Sequence, residues 1–189
     1  MKKIFVCIAL ITTTFSFAQL GDYYYSNNHP KAKGLNFQIK KPLGYEQSEG
    51  DRPNIVQKWI KNKTDNSKMV SFMINVRNDE VFKQYSIEFW EEYLKSKEGV
   101  EDFLSGMMDN VSSYRYIVID GYPGLIVDYE TESRRLAFSF KLYSNSIYVI
   151  VDSHLLTLTL SSPNLKLKDE NMLLLYKLAN SIIFPEQYK

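Results

Sequence analysis

The spacing of apolar residues along the chain changes twice, and this change restricts the fold more than any other feature. From residue 35 to residue 76 apolar and polar residues alternate, most clearly around Phe72 and Ile74. In 86–109 the apolar residues recur every third or fourth position, and in 111–161 they alternate again. A period of two is typical of strands and a period near 3.6 of helices. The sequence therefore predicts strands, then helices, then strands.

Turn residues divide the second alternating region into short strands. Asp120-Gly121 and Ser144-Asn145 are pairs that favour tight turns. Between and beside them, the alternation predicts four or five strands, with a strand over 125–131 among them. Short strands joined by tight turns indicate an antiparallel sheet.

Two regions are predicted to be helical. The first, 86–109, carries an apolar stripe made of Ile87, Trp90, Leu94, Phe89 and Tyr93. Gly99 interrupts this region, and the apolar residues after it predict a second, short helix. The second is predicted from 169 to 182, with Asp169 as its N-cap and Leu175 in its buried stripe. We therefore predict one α+β domain over residues 35–185, with helices that cover an antiparallel sheet of six to eight strands.

The first eighteen residues have the pattern of a secretory signal peptide. Lys2 and Lys3 precede an uncharged apolar run, and the small residue Ala18 follows it. We expect cleavage after Ala18, and the alternative is an uncleaved anchor, although the run is short for a membrane span. Residues 19–34 show little periodicity and are predicted to form a flexible N-terminal arm.

Charge and cysteine content exclude several classes of function. The formal net charge is +1, and loss of the signal peptide with Lys2 and Lys3 would make it −1. A chain so close to neutral is not expected to bind nucleic acid or an acidic membrane. The single cysteine, Cys7, lies in the signal segment. The mature chain would therefore have no disulfide, thiolate metal site or cysteine nucleophile.

Three segments of the chain form a pattern in this order. An opening strand ends in Pro42-Leu43-Gly44-Tyr45, a mid-chain hairpin is formed by Ile119-Asp120-Gly121-Tyr122-Pro123-Gly124-Leu125, and the last helix leads into Ser181-Ile182-Ile183-Phe184. Together these segments resemble the PsbP-like superfamily, which includes photosystem II PsbP, DcrB-type lipoproteins and Mog-type Ran-binding proteins. The resemblance covers about residues 35–184. It departs from the family pattern at Tyr45, where tryptophan is usual, and in lacking a lipobox.

This resemblance implies an α/β/α sandwich, with a central antiparallel sheet and helices on both faces. It also implies an accessory or binding protein rather than an enzyme. No partner-binding residue carries over, because the families use different surfaces and a shared fold does not fix function.

The sequence offers little that could support catalysis or metal binding. His29 and His154 stand apart, so no metal and no cofactor is predicted. Asp152-Ser153-His154 contains the residue types of a catalytic triad, but consecutive residues cannot form one. Asp128 and Glu130 would share one strand face as a possible carboxylate pair, unless the nearby Arg134-Arg135 neutralises them.

The candidate binding site is a patch of three tyrosines. Tyr114 and Tyr116 lie two residues apart and therefore share a strand face, and Tyr129 lies on the next strand. Exposed together, they would suit contact with a protein or a glycan. Covered by a helix, they would be core residues.

We therefore predict an exported, non-catalytic accessory or binding protein of the bacterial cell envelope, periplasmic or extracellular. Its partner is expected to be an envelope protein or glycan, without nucleic acid and without a stable membrane anchor after cleavage. The alternative is an envelope hydrolase that uses Asp128 and Glu130.

Overall fold

The structure, a computed structural model, describes residues 20–50, 52–108, 110–135 and 138–189, with residues 133–135 and 138 described by their backbone alone. The predicted signal peptide lies outside the described residues. The described elements, in chain order, are β1 (Leu20–Tyr25), β2 (Gln38–Pro42), β3 (Glu46–Ser48), β4 (Ile55–Lys61), β5 (Val70–Asn78), α1 (Glu80–Lys83), α2 (Ile87–Lys95), α3 (Lys97–Ser105), β6 (Val111–Ile119), β7 (Tyr122–Arg135), β8 (Phe138–Val151), β9 (His154–Ser162) and α4 (Lys168–Ala179).

Seven of the strands form one antiparallel sheet in the order β3-β4-β5-β9-β8-β7-β6. The predicted sheet of six to eight strands is confirmed. The turn between β6 and β7 is Asp120-Gly121, as predicted, and both residues have positive φ angles, 46° and 83°. Such angles suit a two-residue hairpin whose twist matches that of its strands.

One face of the sheet packs against α4 and the small sheet formed by β1 and β2. The alternation predicted for β5 is correct, because Val70, Phe72, Ile74 and Val76 are all buried on this face. From α4, Leu175 and Leu178 are fully buried in the same cluster. Burying a leucine side chain contributes about 2 kcal/mol, so this layer dominates the hydrophobic stabilisation.

The opposite face packs against α1, α2 and α3. Trp90 and Leu94 of α2 and Leu104 of α3 are buried against Leu125 and Val127 of β7. The sheet therefore has helices on both faces, and the expected α/β/α sandwich is confirmed.

The segment predicted to be a flexible arm is folded onto the domain over its described part, residues 20–34. The strand β1 pairs with β2, and the Tyr24 ring meets the Trp59 ring edge-on with centroids 5.5 Å apart. Buried Ser26 donates through Oγ to the Leu35 carbonyl oxygen (3.0 Å) and accepts from the Phe37 amide (2.8 Å). The prediction missed β1 because its order comes from pairing with β2 and from the contact of Tyr24 with Trp59, which a short segment without periodicity does not reveal.

Two element boundaries and one turn differ from the predictions. The helical region 86–109 holds two helices as predicted, but the chain turns at Ser96, which is extended at the junction, and Gly99 lies inside the second helix. Ser144-Asn145 is not a turn: both residues lie within β8, where they pair with β7 and β9 and are buried. The last helix ends at Ala179, and Asp169 lies in its first turn rather than at the N-cap position, which Leu167 occupies.

Replacing Leu175 by aspartate should unfold or aggregate the protein. Leu175 is fully buried between α4 and the sheet, so the change removes its packing and buries an unpaired carboxylate, at a cost of more than about 4 kcal/mol. Leu173→Asp, on the same helix at a side chain that is 52% exposed, should change stability by less than about 0.5 kcal/mol. Thermal unfolding followed by circular dichroism compares the two, and equal melting temperatures would contradict the assignment of the buried face.

Candidate functional site

The structure places the three predicted tyrosines on one face of the sheet. Tyr114 and Tyr116 lie opposite Val127 and Leu125 of β7, and Tyr129 lies opposite Val111 of β6. This is the face that α2 and α3 cover.

The three rings differ in exposure. Tyr114 is 39% exposed and lines a depression of about 460 Å³ between the end of α3 and the start of β6. Tyr116 and Tyr129 are half-buried and pack against the cluster under the helices. Lys95 of α2 lies over the Tyr116 ring, 5.0 Å from its centroid, and the Tyr129 hydroxyl is 3.1 Å from Ser146 Oγ.

Burial raises the pKa of Tyr116, and the neighbouring Glu91 carboxylate raises this pKa further. Both causes favour the neutral phenol at physiological pH. The Tyr116 and Tyr129 rings therefore contribute to the helix–sheet contact as well as to the surface, and Tyr114 is the most exposed member of the predicted patch.

A second group of aromatic rings lies along α2 and on Tyr85, just before this helix. Tyr85, Phe89 and Tyr93 are spaced four residues apart and form a row of nearly parallel rings, which we call the aromatic ladder. The Tyr85 and Phe89 centroids are 4.2 Å apart, the Phe89 and Tyr93 centroids 5.6 Å, and both pairs are inclined by only 18°. Tyr85 is 46% exposed and Phe89 38%.

Buried Trp90 supports the ladder from below. All three ladder rings meet the Trp90 ring nearly at right angles, with centroids 5.4 to 5.7 Å apart. Trp90 is itself fixed, because its Nε1 donates to the Phe82 carbonyl oxygen at 3.1 Å. Edge-to-face contacts of this kind contribute about 0.5–1.5 kcal/mol each beyond their buried area. The ladder is thus held in place before any partner binds.

Local sequence explains why the ladder forms. Ser86 caps α2 by accepting from the Phe89 amide through Oγ at 3.3 Å, which starts the helix directly after Tyr85. Helical residues four apart are neighbours, so the three rings align. At the other end, the Tyr93 hydroxyl donates to the Asp102 carboxylate of α3.

More apolar surface surrounds the ladder. Val81 and Ile87 are each exposed by more than a third. A depression of about 370 Å³ lies beside them, and Tyr85, Ile87, Pro123 and Asp152 are among its lining residues. Exposed apolar area concentrated in this way marks interaction surfaces in proteins.

The two carboxylates of the alternative hypothesis do share one face of β7, but they have separate partners. Asp128 Oδ1 accepts from Asn145 Nδ2 at 2.6 Å, and Oδ2 accepts from Ser113 Oγ at 2.9 Å with Lys168 Nζ 3.8 Å away. Glu130 pairs with Lys141 at 3.5 Å. Side-chain bonds thus engage both oxygens of Asp128.

The histidines bind the backbone of the N-terminal segment. His29 Nδ1 accepts from the Lys31 amide at 3.2 Å, and His154 Nε2 lies 3.0 Å from the Lys33 carbonyl oxygen. Across the described residues, no three histidine, cysteine or acidic side chains are grouped as metal ligands. Likewise, no helix among these residues is long and apolar enough to cross a membrane.

Comparison with known proteins finds a similarity in fold to solved structures. No protein-family model and no curated protein matches it. The solution structure of a cyanobacterial PsbP, CyanoP from Synechocystis, matches with a TM-score of 0.51 and 13% identity, over 90% of this chain and 95% of that one. A crystal structure from Bacteroides thetaiotaomicron matches with a TM-score of 0.50 and 10% identity, over 90% of this chain and 51% of that one. The chain therefore has the PsbP-like fold.

Sequence reasoning missed the ladder because it assigned Ile87, Phe89 and Tyr93 to the buried stripe of the first helical region. The four-residue spacing of Tyr85, Phe89 and Tyr93 could have revealed the ladder. Residues at this spacing lie in a row along the helix surface, and this row runs beside the one that contains Trp90 and Leu94. A helix of nine residues packed against a sheet can bury only a narrow stripe.

Replacing Gly99 by alanine should destabilise the contact between α2 and α3. A Cβ atom at Gly99 would lie 2.2 Å from the Tyr93 carbonyl oxygen, so the backbone would have to move, at a cost of roughly 1–3 kcal/mol. Gly106→Ala is the matched control, because nothing lies within 4 Å of its Cβ position, and the better helix former should add up to about 1 kcal/mol. Urea unfolding measures both, and equal effects would contradict the close approach.

Titration of Tyr93 should reveal its bond to Asp102. This hydrogen bond, followed by burial and the Asp102 charge, raises the pKa of Tyr93 to about 12. Because the raised pKa belongs to the folded state, the associated stability is complete below about pH 10 and is lost as the pH rises through 12. In spectra of ¹³C-labelled tyrosine, Asp102→Asn should move this pKa towards 10, and Tyr93→Phe identifies the resonance. A wild-type Tyr93 that titrates near 10 would show that the bond does not persist in solution.

Proposed function

We propose that the chain is an exported, non-catalytic accessory protein of the bacterial cell envelope that binds another protein through the aromatic ladder. The basic start and apolar run of residues 1–18 support export. The observation that carries the binding function is the ladder itself, a row of exposed rings held rigidly on Trp90.

The geometry of the ladder favours a protein partner over a glycan. Sugars stack on the free face of an aromatic ring, but the Phe89 ring is already stacked with both Tyr85 and Tyr93. What remains accessible on Phe89 is its edge, next to the phenol groups of two tyrosines. Ring edges and hydroxyls of this kind fit an apolar protein surface with a few hydrogen-bonding groups, and rigid aromatic side chains are typical anchors there.

The partners of the carboxylates support a non-catalytic role. Hydrolysis by a carboxylate pair needs two side chains that face a substrate between them. Asp128 instead bonds to Asn145 and Ser113, and Glu130 faces Lys141. These contacts resemble cross-strand pairs that stabilise a sheet.

The alternative, an envelope hydrolase, is favoured by one observation, namely that Asp128 and Glu130 lie on the same face of β7 with one residue between them. Under that alternative, Asp128→Asn combined with Glu130→Gln abolishes function and substitutions in the ladder do not. Under the binding function the reverse holds.

Photocrosslinking at the ladder tests the proposed function. Benzoylphenylalanine at position 89 should form a discrete adduct with one protein in cells of the native organism, because the edge of that ring is at the proposed interface. The same group at Leu165, an exposed position outside the ladder, is the control and should form none. Tyr85→Ser should abolish the adduct at position 89, with the melting temperature within a few degrees of the wild type.

Equal labelling at positions 89 and 165, or an adduct that survives Tyr85→Ser in a folded protein, would contradict binding through the ladder. Absence of any adduct at position 89 would contradict it as well.

A further inference from the structure

The strand β6 forms one edge of the seven-stranded sheet. It has nine residues, and among the described strands it pairs with β7 alone. The strand at the opposite edge, β3, has only three residues. Proteins commonly keep edge strands very short, because an edge presents unpaired backbone groups to other chains. At about 3.4 Å per residue, β6 instead presents an edge roughly 30 Å long.

Backbone groups of β6 are directed away from the sheet at every second residue. In an antiparallel pair, residues that exchange two hydrogen bonds alternate with residues that exchange none. Val118 lies opposite Pro123, which has no amide hydrogen, so this pair exchanges none. By alternation, Val118, Tyr116 and Tyr114 direct their N–H and C=O groups outward. Across the described residues, no other backbone group bonds to them.

The outer edge of β6 carries apolar side chains and a single charge. Val118 is 52% exposed and Tyr114 39%. The one charged residue, Arg115, lies with its guanidinium 5.3 Å from the centre of the Tyr176 ring of α4. Charges, proline and bulges are the usual devices that keep an edge strand from pairing. In β6 a register shift occurs only at its start, before residue 114, so the stretch 114–119 remains free to pair.

We propose that two copies of the chain pair through β6 and form a symmetric dimer with one continuous sheet. The strand is self-complementary, because Tyr114 and Val118 are equally spaced about Tyr116. Antiparallel pairing centred on Tyr116 places Tyr114 of each copy opposite Val118 of the other. All three residues direct their hydrogen-bonding groups outward, so each of these pairs exchanges both backbone bonds. Arg115 then lies opposite Ile117 of the second copy rather than opposite another arginine.

The two edges of the sheet favour this pairing over a head-to-tail contact. Pairing of β6 with β3 of another copy would join only three residues and leave open edges for further addition. Pairing of β6 with β6 joins the whole regular stretch and closes the assembly at two copies. The cross-strand contacts between tyrosine and valine are also of a kind that stabilises sheets.

The size of the contact indicates a reversible dimer. Both helical layers reach β6, because Lys95 of α2 lies over the Tyr116 ring and Tyr176 of α4 lies beside Arg115. With layers about 10 Å from the sheet on each side, the wall of the domain at β6 measures roughly 30 Å by 20 Å. This is about 600 Å², compared with about 800 Å² on each partner of a stable interface. The dimer should therefore depend on concentration.

The proposed dimer places both aromatic ladders on the same side. The two-fold axis that relates paired antiparallel strands is perpendicular to the sheet, so equivalent faces of the two copies point the same way. A partner with two contact sites would then be bound twice, with a gain in affinity from the linkage. The dimer itself does not depend on the proposed function, because no step of its derivation uses the ladder.

Sedimentation equilibrium with paired charge variants tests the contact and its register. The wild type should shift from the mass of one chain to that of two as the concentration rises. Tyr114→Lys with Val118→Lys places like charges opposite each other and should weaken the dimer by about tenfold or more. Tyr114→Glu with Val118→Lys removes the same two side chains but pairs opposite charges, and it should retain the dimer.

Both double variants should keep melting temperatures within a few degrees of each other, since the replaced side chains are exposed. A wild type that remains monomeric at about 1 mM would overturn the proposal. Equal weakening in the two double variants, or none in either, would overturn it as well. The wild type is measured with and without residues 1–18, and a dimer that requires those residues would contradict pairing through β6.

Disulfide formation tests the axis of the pairing, in a chain whose single cysteine is removed by Cys7→Ser. In the proposed register the two copies of residue 116 lie opposite each other, with Cα atoms about 5.5 Å apart, which a disulfide can span. The two copies of residue 114 are offset by four residues, roughly 14 Å. Mild oxidation should therefore link Tyr116→Cys into a covalent dimer and leave Tyr114→Cys unlinked.

The control at position 114 is strict, because Tyr114 is more exposed than half-buried Tyr116. Random collisions between copies would link position 114 more readily than position 116. Equal or greater linkage at position 114 would contradict the proposed pairing, and so would absence of linkage at position 116 in a folded protein.

Discussion

The whole structure depends on burial of both faces of the central strands. On β9, Leu156, Leu158 and Leu160 point towards α4, and Leu155 points towards the helices of the other layer. At about 25 cal/mol per Å² of apolar surface, burial on two sides stabilises these strands far more than the one-sided strands at the sheet edges. Because the centre is rigid, α2 and the β7–β8 hairpin can carry exposed aromatic side chains without loss of the fold.

The sequence predicted the elements whose order is set by local patterning. The alternation through Phe72 and Ile74 identified β5 and its buried face, and Asp120-Gly121 identified a hairpin turn. The helix that contains Leu175 was predicted to within three residues at its end. In these cases a period or a turn pair indicated the conformation directly. The pair Ser144-Asn145 did not, because pairing with β7 and β9 holds it inside β8.

Other features depend on contacts between distant segments and were not predictable from patterning. The strand Leu20–Tyr25 is ordered by pairing with β2 and by the contact of Tyr24 with Trp59. The length of β7 depends on its partner β8, and the exposure of Phe89 depends on how α2 is rotated against the sheet. A periodic pattern shows that a helix has an apolar side, but packing decides which residues at the margin of that side are covered.

Oxidative footprinting by hydroxyl radicals, performed on the purified protein and on the protein in intact cells, tests the central claim most directly. The account predicts that Tyr85 and Phe89 are oxidised in the purified protein and protected in cells, while exposed Tyr188 is oxidised equally in both. Equal oxidation of Tyr85 and Phe89 in the two samples, with protection confined to the surface around Asp128 and Glu130, would contradict it.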